Sequence, residues 1–433
     1  MIQKLAEKLQ ARSREIEDWY QSRLKGVTGA EPPVYSSVDV RNSGFKIGVV
    51  DTNLFPAGFN NLCETYSEQA SIAFKAFFRE WHPSVGKILI FPEEHTRNLF
   101  YWKNVASLVS MLKEAGFDVR VGSASTQFAG DPFIVSLAQA EISSGKSGHV
   151  DVRKVYWQNG FLRTDDFVPD AVLINNDLSA GTPEYLKDLK QILLPSPYLG
   201  WHTRRKSGHF HYNETLLGEV SQILSLDPWL LGPVSSVEKG VDLADEICLK
   251  RLKDATDRLL DRIREKYRQH GIAKDPYVFI KSNAGTYGMG LIHVDSGSQL
   301  LTMNRKVRNK LESSKGGRQV GEYLLQEGIP TADLYRGKPI EPVVYLVGGE
   351  AVGTFFRIHE QKNEKESLNA PGMSFACLCF HQVKPSGKTY HLTCGDKNQM
   401  FSAAAFLGKI ASLAAVLELK QLHGIQVPEA RIA

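Results

Sequence analysis

The chain reads as an α/β protein, with parallel strand–helix–strand units in its first half and a strand, glycine loop, strand element in its second. Three patterns carry this reading. Apolar runs at 45–51, 87–91 and 118–121 alternate with helical spacing over 67–81 and 97–115, which is the rhythm of parallel βαβ units. An apolar run from Val278 to Ile280 ends in Lys281, crosses a loop with glycines at 285, 288 and 290, and resumes at Leu291, Ile292 and Val294. Residues 340–347 and 350–358, joined by Gly348 and Gly349, make a hairpin by pattern.

At 433 residues the chain holds two or three domains. Its net charge of +4 is interspersed, which implies neither a nucleic-acid nor a membrane partner. Five cysteines (63, 248, 377, 379 and 394) form no CxxC and are odd in number, so reduced thiols and a cytoplasmic setting are expected. Cys377 and Cys379 fall among Phe375, Leu378 and Phe380 as strand packing does. The N-terminus is a charged amphipathic helix rather than a signal peptide. The best membrane candidate, 403–417, is interrupted by Lys409.

Taken in order, residues 2–25 place Ile2, Leu5, Leu9, Ile16, Trp19 and Leu24 near helical spacing. Residues 26–37, with Gly29, Pro32 and Pro33, read as a linker. The expected division is 1–44 for N-terminal helix and linker, 45–235 for an α/β substrate-binding unit, and 236–433 for the unit with the glycine loop. Gly116 sits where a helix C-cap belongs. Later helices are expected at 213–226, 241–270, 300–313 and 400–423, and the segment 321–330 has an apolar core closed by a polar hinge.

Ligands in parallel α/β sheets meet the loops at the carboxyl ends of strands. Three such loops here are polar: Asp51 to Asn61, Pro92 to Asn98, and Asn175 to Asp177. Each is equally read as caps and turns. Gly200-Trp-His-Thr-Arg-Arg-Lys206 is a basic loop, and arginine holds carboxylates through paired hydrogen bonds. It suits an acidic small substrate, or is a solvated basic loop. The glycine loop lacks the Lys-Ser/Thr of a Walker loop, and its GxxGxG spacing is not a dinucleotide fingerprint. Glycines let successive backbone amides approach anionic oxygens, and Lys281 adds a positive charge for phosphate. The alternative is an ordinary hairpin turn.

In order, Phe279-Ile-Lys281 with its glycine loop, Leu325-Gln-Glu-Gly-Ile-Pro330, the hairpin ending at Arg357 and Asn369-Ala-Pro-Gly372 resemble the ATP-grasp superfamily, especially its glutathione-synthetase-like branch. With Val50 to Asn61, Gly200 to Lys206 and Lys281 to Gly290 added, the whole chain is similar to the ATP-grasp-like glutamate–cysteine ligases of proteobacteria. The resemblance implies a pre-ATP-grasp-like βαβ domain followed by an ATP-grasp domain whose lid region spans about 275–320. It implies ATP-dependent joining of glutamate, through an acyl phosphate of its γ-carboxylate, to cysteine, in the first step of glutathione synthesis. ATP and Mg²⁺ are the implied cofactors, and a homo-oligomer is left open. Another carboxylate–amine ligase, or a nucleotide-binding protein without turnover, are the rival readings.

By residue, the resemblance implies catalytic roles for Arg357 and Lys281. It puts ATP against Lys281, Ser282, Asn283, Gly285, Thr286, Tyr287, Gly288 and Gly290, with Gln326 and Glu327 at the adenine hinge. Glutamate is expected between the basic loop, Arg204 and Arg205, and Asp51, Asn53 and Asn61. Hard oxygen ligands suit Mg²⁺, and Glu341, Glu360, Glu366 and Asn369 are the candidates. The chain departs from the family pattern here. It has no clean Glu-x-Asn pair after residue 372, and Ser367 stands two positions before Asn369.

Overall fold

The computed structural model describes residues 1–27, 29, 31–94, 98–128, 130–137, 148–284, 290–312, 321–377 and 399–424. The chain begins with α1 (Ile2–Ala11) and α2 (Ser13–Lys25), then β1 (Tyr35–Asn42), β2 (Ile47–Asn53), α3 (Glu64–Trp81), β3 (Lys87–Pro92), α4 (Leu99–Glu114) and β4 (Asp118–Ser123). Next come β5 (Phe133–Ser136), β6 (His149–Lys154), β7 (Tyr156–Gln158), β8 (Phe161–Arg163), β9 (Ala171–Asn175), β10 (Ile192–Leu194) and α5 (Lys206–Leu224). The second half holds β11 (Ser235–Lys239), α6 (Glu246–Gln269), β12 (Val278–Ser282), β13 (Leu291–Val294), α7 (Ser298–Leu301), α8 (Arg305–Glu312), β14 (Glu322–Glu327) and β15 (Leu334–Tyr335). It closes with β16 (Lys338–Val347), β17 (Glu350–His359), β18 (Met373–Ala376) and α9 (Gln399–Leu422).

The strands form a mixed α/β architecture of several sheets. The largely parallel sheet runs β10-β9-β3-β4-β6-β5, with β5 antiparallel at its edge. Its central strands are apolar throughout: Ile88 to Phe91 and Ala171 to Ile174 are all buried. Strands covered on both faces need such continuous runs. Here β3, α4 and β4 form the expected βαβ unit, and Gly116 ends α4 at φ +101°.

The apolar run at 45–51 is not part of that sheet. It becomes β2 and pairs antiparallel with β1. The reason lies in its one-sidedness. Ile47 and Val49 are buried in an apolar cluster, and a bulge at Val50 turns Asp51 and Asn53 the other way, toward a cleft. The linker reading of 26–37 is corrected as well, because β1 starts at Tyr35. Val38 and Val40 on one face of β1 enter the core, while the other face carries Ser37, Asp39 and Arg41. Its polar face is turned into the molecule, so the strand lacks an obvious apolar signature.

This second sheet runs β18-β17-β16-β1-β2. It joins strands from 35–53 with strands from 338–376, across the boundaries at 44/45 and 235/236. The β16–β17 hairpin turns at Gly348 and Gly349, with φ +59° and +83°, the positive pair that a tight two-residue hairpin loop requires. One face of the sheet packs Val344 and Leu346 against α9 and Leu217 and Val220 of α5. The other packs Val343, Tyr345 and Phe355 against Phe74 and Phe77 of α3. By length and composition α9 could cross a membrane, yet it is packed into this core, with Leu407, Ile410, Leu413 and Val416 buried.

The third sheet, β11-β14-β12-β13, is antiparallel and backed by the amphipathic α6. The expected strand–loop–strand appears as β12 and β13, paired from Val278↔Val294 to Lys281↔Leu291. Residues 285–289 lie outside the described residues, so the glycine loop between the strands is not described. Gly328 is needed where it stands, since a Cβ there would lie 2.1 Å from the Tyr277 ring.

Three helices differ from expectation. The first splits at Arg12 into α1 and α2, and the segment 300–313 splits into α7 and α8. The helix expected at 213 starts at Lys206. Its first amides are capped from a distance: Lys206 N donates to the Asn283 carbonyl (2.8 Å) and Ser207 N to Asn283 Oδ1 (2.8 Å). A cap supplied from 76 residues away leaves no local signal.

Candidate active site

A cleft of about 150 Å³ opens where β1, β2, β16 and β17 face β12 and the basic loop. Alternation on β1 puts Ser37, Asp39 and Arg41 on its wall, and alternation on β12 adds Phe279 and Lys281. Four cations (Arg41, Lys206, Lys281 and Arg357) and four carboxylates (Asp39, Asp51, Asp177 and Glu341) line it together.

The charges are ordered by hydrogen bonds. Arg357 donates to Asp39 (2.8 and 3.2 Å) and to Glu341 Oε1 (2.5 Å). Arg41 Nε donates to Glu341 Oε2 (2.7 Å), and its other nitrogens reach the carbonyls of Ile329 (3.2 Å), Glu364 (3.5 Å) and Glu366 (2.5 Å). Arg41 thereby ties the segment after β14 to the loop carrying Ser367 and Asn369. Burial would raise the Glu341 carboxyl, but Arg41 and Arg357 hold it below its ordinary range. Burial prevails at Asp39, whose carboxyl is raised despite Arg357. Arg357 is raised further still by Asp39 and Glu341, against the pull of burial. Its Nε is buried and has no hydrogen-bond partner among the described residues.

At the other end Lys206 Nζ is ion-paired with Asp51. Burial opposes ionisation of Asp51, but Lys206 and Lys281 drive it down to about 2. Lys281 Nζ donates to Gln326 Oε1 (2.6 Å) and the Val50 carbonyl (3.0 Å). Burial pulls Lys281 down to about 8, only partly offset by Asp51.

The cleft therefore gathers Lys281, Ser282, Asp51, Asn53, Glu341, Arg357 and Asn369 from the expected set. Other members lie elsewhere. Arg204 is buried and spent on Glu418 (2.9 and 3.0 Å) and the Thr52 carbonyl (2.8 Å). Arg205 is 43% exposed and lies 3.6 Å from Glu322. Asn61 bonds to Asn60 (3.3 Å). Asn283 bonds Ser207 and Glu322, bracing the end of β12. Glu360 is exposed beside Lys338, and the Glu366 carboxylate takes Lys362 (2.8 Å). Gly290 has φ +65° and its carbonyl accepts from Ser282 N (2.9 Å). Gly285, Thr286, Tyr287 and Gly288 lie outside the described residues. Among the described residues there is no group of three or more His, Cys, Asp or Glu placed to hold a metal.

Gln326 and Glu327 point to opposite faces of their sheet. Gln326 sits over Lys281, while Glu327 Oε2 accepts from Lys46 (2.8 Å), Trp229 Nε1 (3.1 Å) and Val234 N (3.1 Å). Lys46 is fully buried and stands 4.0 Å over the Trp229 ring. Lys46→Met leaves the buried Glu327 carboxyl without its counter-ion, with only the Trp229 Nε1–H and Val234 N–H donors remaining. It is expected to cost about 3–5 kcal/mol, read from the urea midpoint.

Asp39 and Arg41 line the cleft without any expectation from sequence, while Lys206, Trp201 and Asp177 line it from loops the sequence marks only as whole loops. The Ser37, Asp39, Arg41 alternation was the available signal for the first two. Lys206 sits in the basic loop beside Arg204 and Arg205, the two cations the resemblance assigns to glutamate. Trp201 stacks under both Arg204 (4.7 Å) and Lys206 (5.0 Å), a contact with no sequence signature.

The model of the family described as glutamate-cysteine ligase matches residues 6–419. A solved structure from Methylobacillus flagellatus KT, named "Putative gamma-glutamylcysteine synthetase", is 34% identical, with 96% of each chain covered and a TM-score of 0.83. D-alanyl-alanine synthetase A from Vibrio cholerae O1 biovar eltor str. N16961 is 12% identical over 61% of this chain and 68% of its own, with a TM-score of 0.28, too low to support an argument. No curated protein matches the chain. A cleft that gathers four cations suits a reaction that brings anionic substrates together, and with the family match over nearly the whole chain the conclusion is plain: this protein belongs to the glutamate–cysteine ligase family and is an ATP-dependent ligase.

Proposed function

We propose that the cleft joins the γ-carboxylate of glutamate to the amine of cysteine at the expense of ATP, within an ATP-grasp arrangement. The supporting observation is the union, among the described residues, of four cations with four carboxylates in one cleft, Arg357 among them. A triphosphate and a carboxylate repel each other, and fixed cations offset that repulsion more strongly in an enclosed site than in water.

Phe279 and Lys281 alternate along one face of β12, and the ring of Tyr277, just before the strand, lies 5.5 Å from that of Phe279. We place the phosphates at Lys281 and the base toward Phe279 and Tyr277. A second cavity of about 180 Å³ there is lined by Tyr277, Pro330 and Lys365. Arg357 faces the transferring phosphoryl group. The γ-carboxylate oxygen attacks phosphorus and ADP leaves. The cysteine nitrogen then attacks the acyl carbon, phosphate departs, and the nitrogen loses a proton. Glutamate lies at the Asp51, Asn53 and Lys206 end.

The donor chemistry fits Mg²⁺, since Asp39 and Glu341 bring carboxylate oxygens and Asn369 an amide oxygen to the residues lining the cleft. When bound there, Mg²⁺ supplies charge neutralisation at the phosphates. Asp39 and Glu341 are now engaged by Arg357 and Arg41, so holding the ion requires those contacts to loosen.

ADP release is measured with Mg-ATP and glutamate plus cysteine, glutamate plus 2-aminobutyrate, and each amino acid alone. Release only with both amino acids supports the proposal. Release indifferent to both sinks it. Release with a different carboxylate–amine pair moves the assignment to another ligase.

A further inference from the structure

Behind the cleft, a buried cluster links its substrate end to the C-terminal helix. Glu418 on α9 accepts from Arg204 Nε through both oxygens (2.9 and 3.0 Å). His209 on α5 lies 3.3 Å from Glu418 Oε2 through Nδ1 and 2.9 Å from Thr52 Oγ1 through Nε2. Arg204 also donates to the Thr52 carbonyl at 2.8 Å. The side chains of Arg204, His209 and Glu418 are 1–3% exposed, so each is screened from water.

The placement of these groups is specific. Thr52 lies between Asp51 and Asn53, which face the cleft while Thr52 faces away. Arg204 lies two residues before Lys206, the partner of Asp51. One carboxylate on a distant helix therefore anchors both halves of the Asp51–Lys206 pair. Its hold on Thr52 is double, at the carbonyl through Arg204 and at the hydroxyl through His209. Burial lowers His209, so the ring is neutral and bridges with one N–H donated and one nitrogen accepting. The carboxylate is the natural acceptor for Nδ1–H, leaving Nε2 to accept from the Thr52 hydroxyl.

We propose that Glu418 is a positioning residue that sets the geometry of the Asp51–Lys206 pair, and through it the binding of an amino-acid substrate. This rests on the reading that this end of the cleft takes glutamate. Glu418 touches no reactant. It acts by holding Arg204 and His209, which hold β2 and the basic loop in register. Small displacements of positioning groups weaken binding and turnover disproportionately.

The test is Glu418→Gln, which keeps the size but turns an amide toward the donors of Arg204 or His209. KM is measured separately for glutamate, cysteine and ATP by ADP release, beside the melting temperature. The expected result is a KM for an amino acid raised about tenfold, with the KM for ATP within about twofold of wild type. Should Glu418→Gln fail to fold, Thr52→Val removes only the hydroxyl that His209 holds, and the same split is expected at smaller size. Unchanged amino-acid KM values in whichever variant folds overturn the inference. So does an ATP KM that rises in step, which marks general loosening. Wild-type protein that shows no amino-acid-dependent ADP release overturns the ligation reading first, and this inference with it.

Discussion

Arg357→Lys is expected to lower kcat about 100-fold, the scale of removing one oriented donor from a preorganised anionic site. Lysine keeps the charge but loses the fork that reaches Asp39 and Glu341 together. Arg357→Met should do the same to turnover and more to the fold, because it leaves two buried carboxylates facing each other. Removing one member of a buried charge network costs about 3–5 kcal/mol. Comparing the two variants separates the effects. Lysine should retain most of the melting temperature, and methionine should not. Near wild-type kcat in Arg357→Lys would remove Arg357 from the chemistry.

The second large effect is on pH. Lys281 loses its proton near pH 8 in the folded protein, because burial disfavours the charged form more than Asp51 favours it. If Lys281 holds phosphate, kcat/KM for ATP at saturating amino acids reports the lysine of the enzyme form that has yet to bind ATP. It should be flat below about pH 8 and fall by about tenfold per pH unit above it. Lys281→Arg stays charged throughout, so its profile should lose that limb. Identical profiles for the two proteins would take Lys281 out of nucleotide binding. Stability moves in the opposite sense. An unfolded lysine keeps its proton to about pH 10.4. Between pH 8 and that value the unfolded chain binds more protons, so stability rises with pH in this window. Lys46, also lowered to about 8 by burial despite Glu327, adds to the same rise. The cost of keeping each lysine charged below pH 8 is on the order of 3 kcal/mol.

Much of the frame is legible in local pattern. The continuous apolar runs of β3 and β9 announce strands buried on both faces. The spacing of 87–121 announces their βαβ unit. The Gly348-Gly349 pair announces a two-residue hairpin turn. Each depends on neighbours a few residues apart, so the chain states it locally. Lys281 and Arg357 are readable for a related reason: each is a lone cation at the cleft end of an apolar run, where no packing role competes.

Tertiary structure decided the rest. Asp39 and Arg41 sit on a strand whose polar face looks inward, and their partners Glu341 and Arg357 lie about 300 residues away. Arg204 and Lys206, two residues apart in one basic loop, go to opposite fates. Arg204 is consumed by Glu418 in the core, and Lys206 reaches the cleft. No local rule separates them, since which cation is buried depends on where α9 places its carboxylate. Sequence alone determined most of the element types, the place of Lys281 and Arg357 at the ends of apolar runs, and the family. Which charges line the cleft was settled only by folding, because the pairing of charges depends on distance in space and not along the chain.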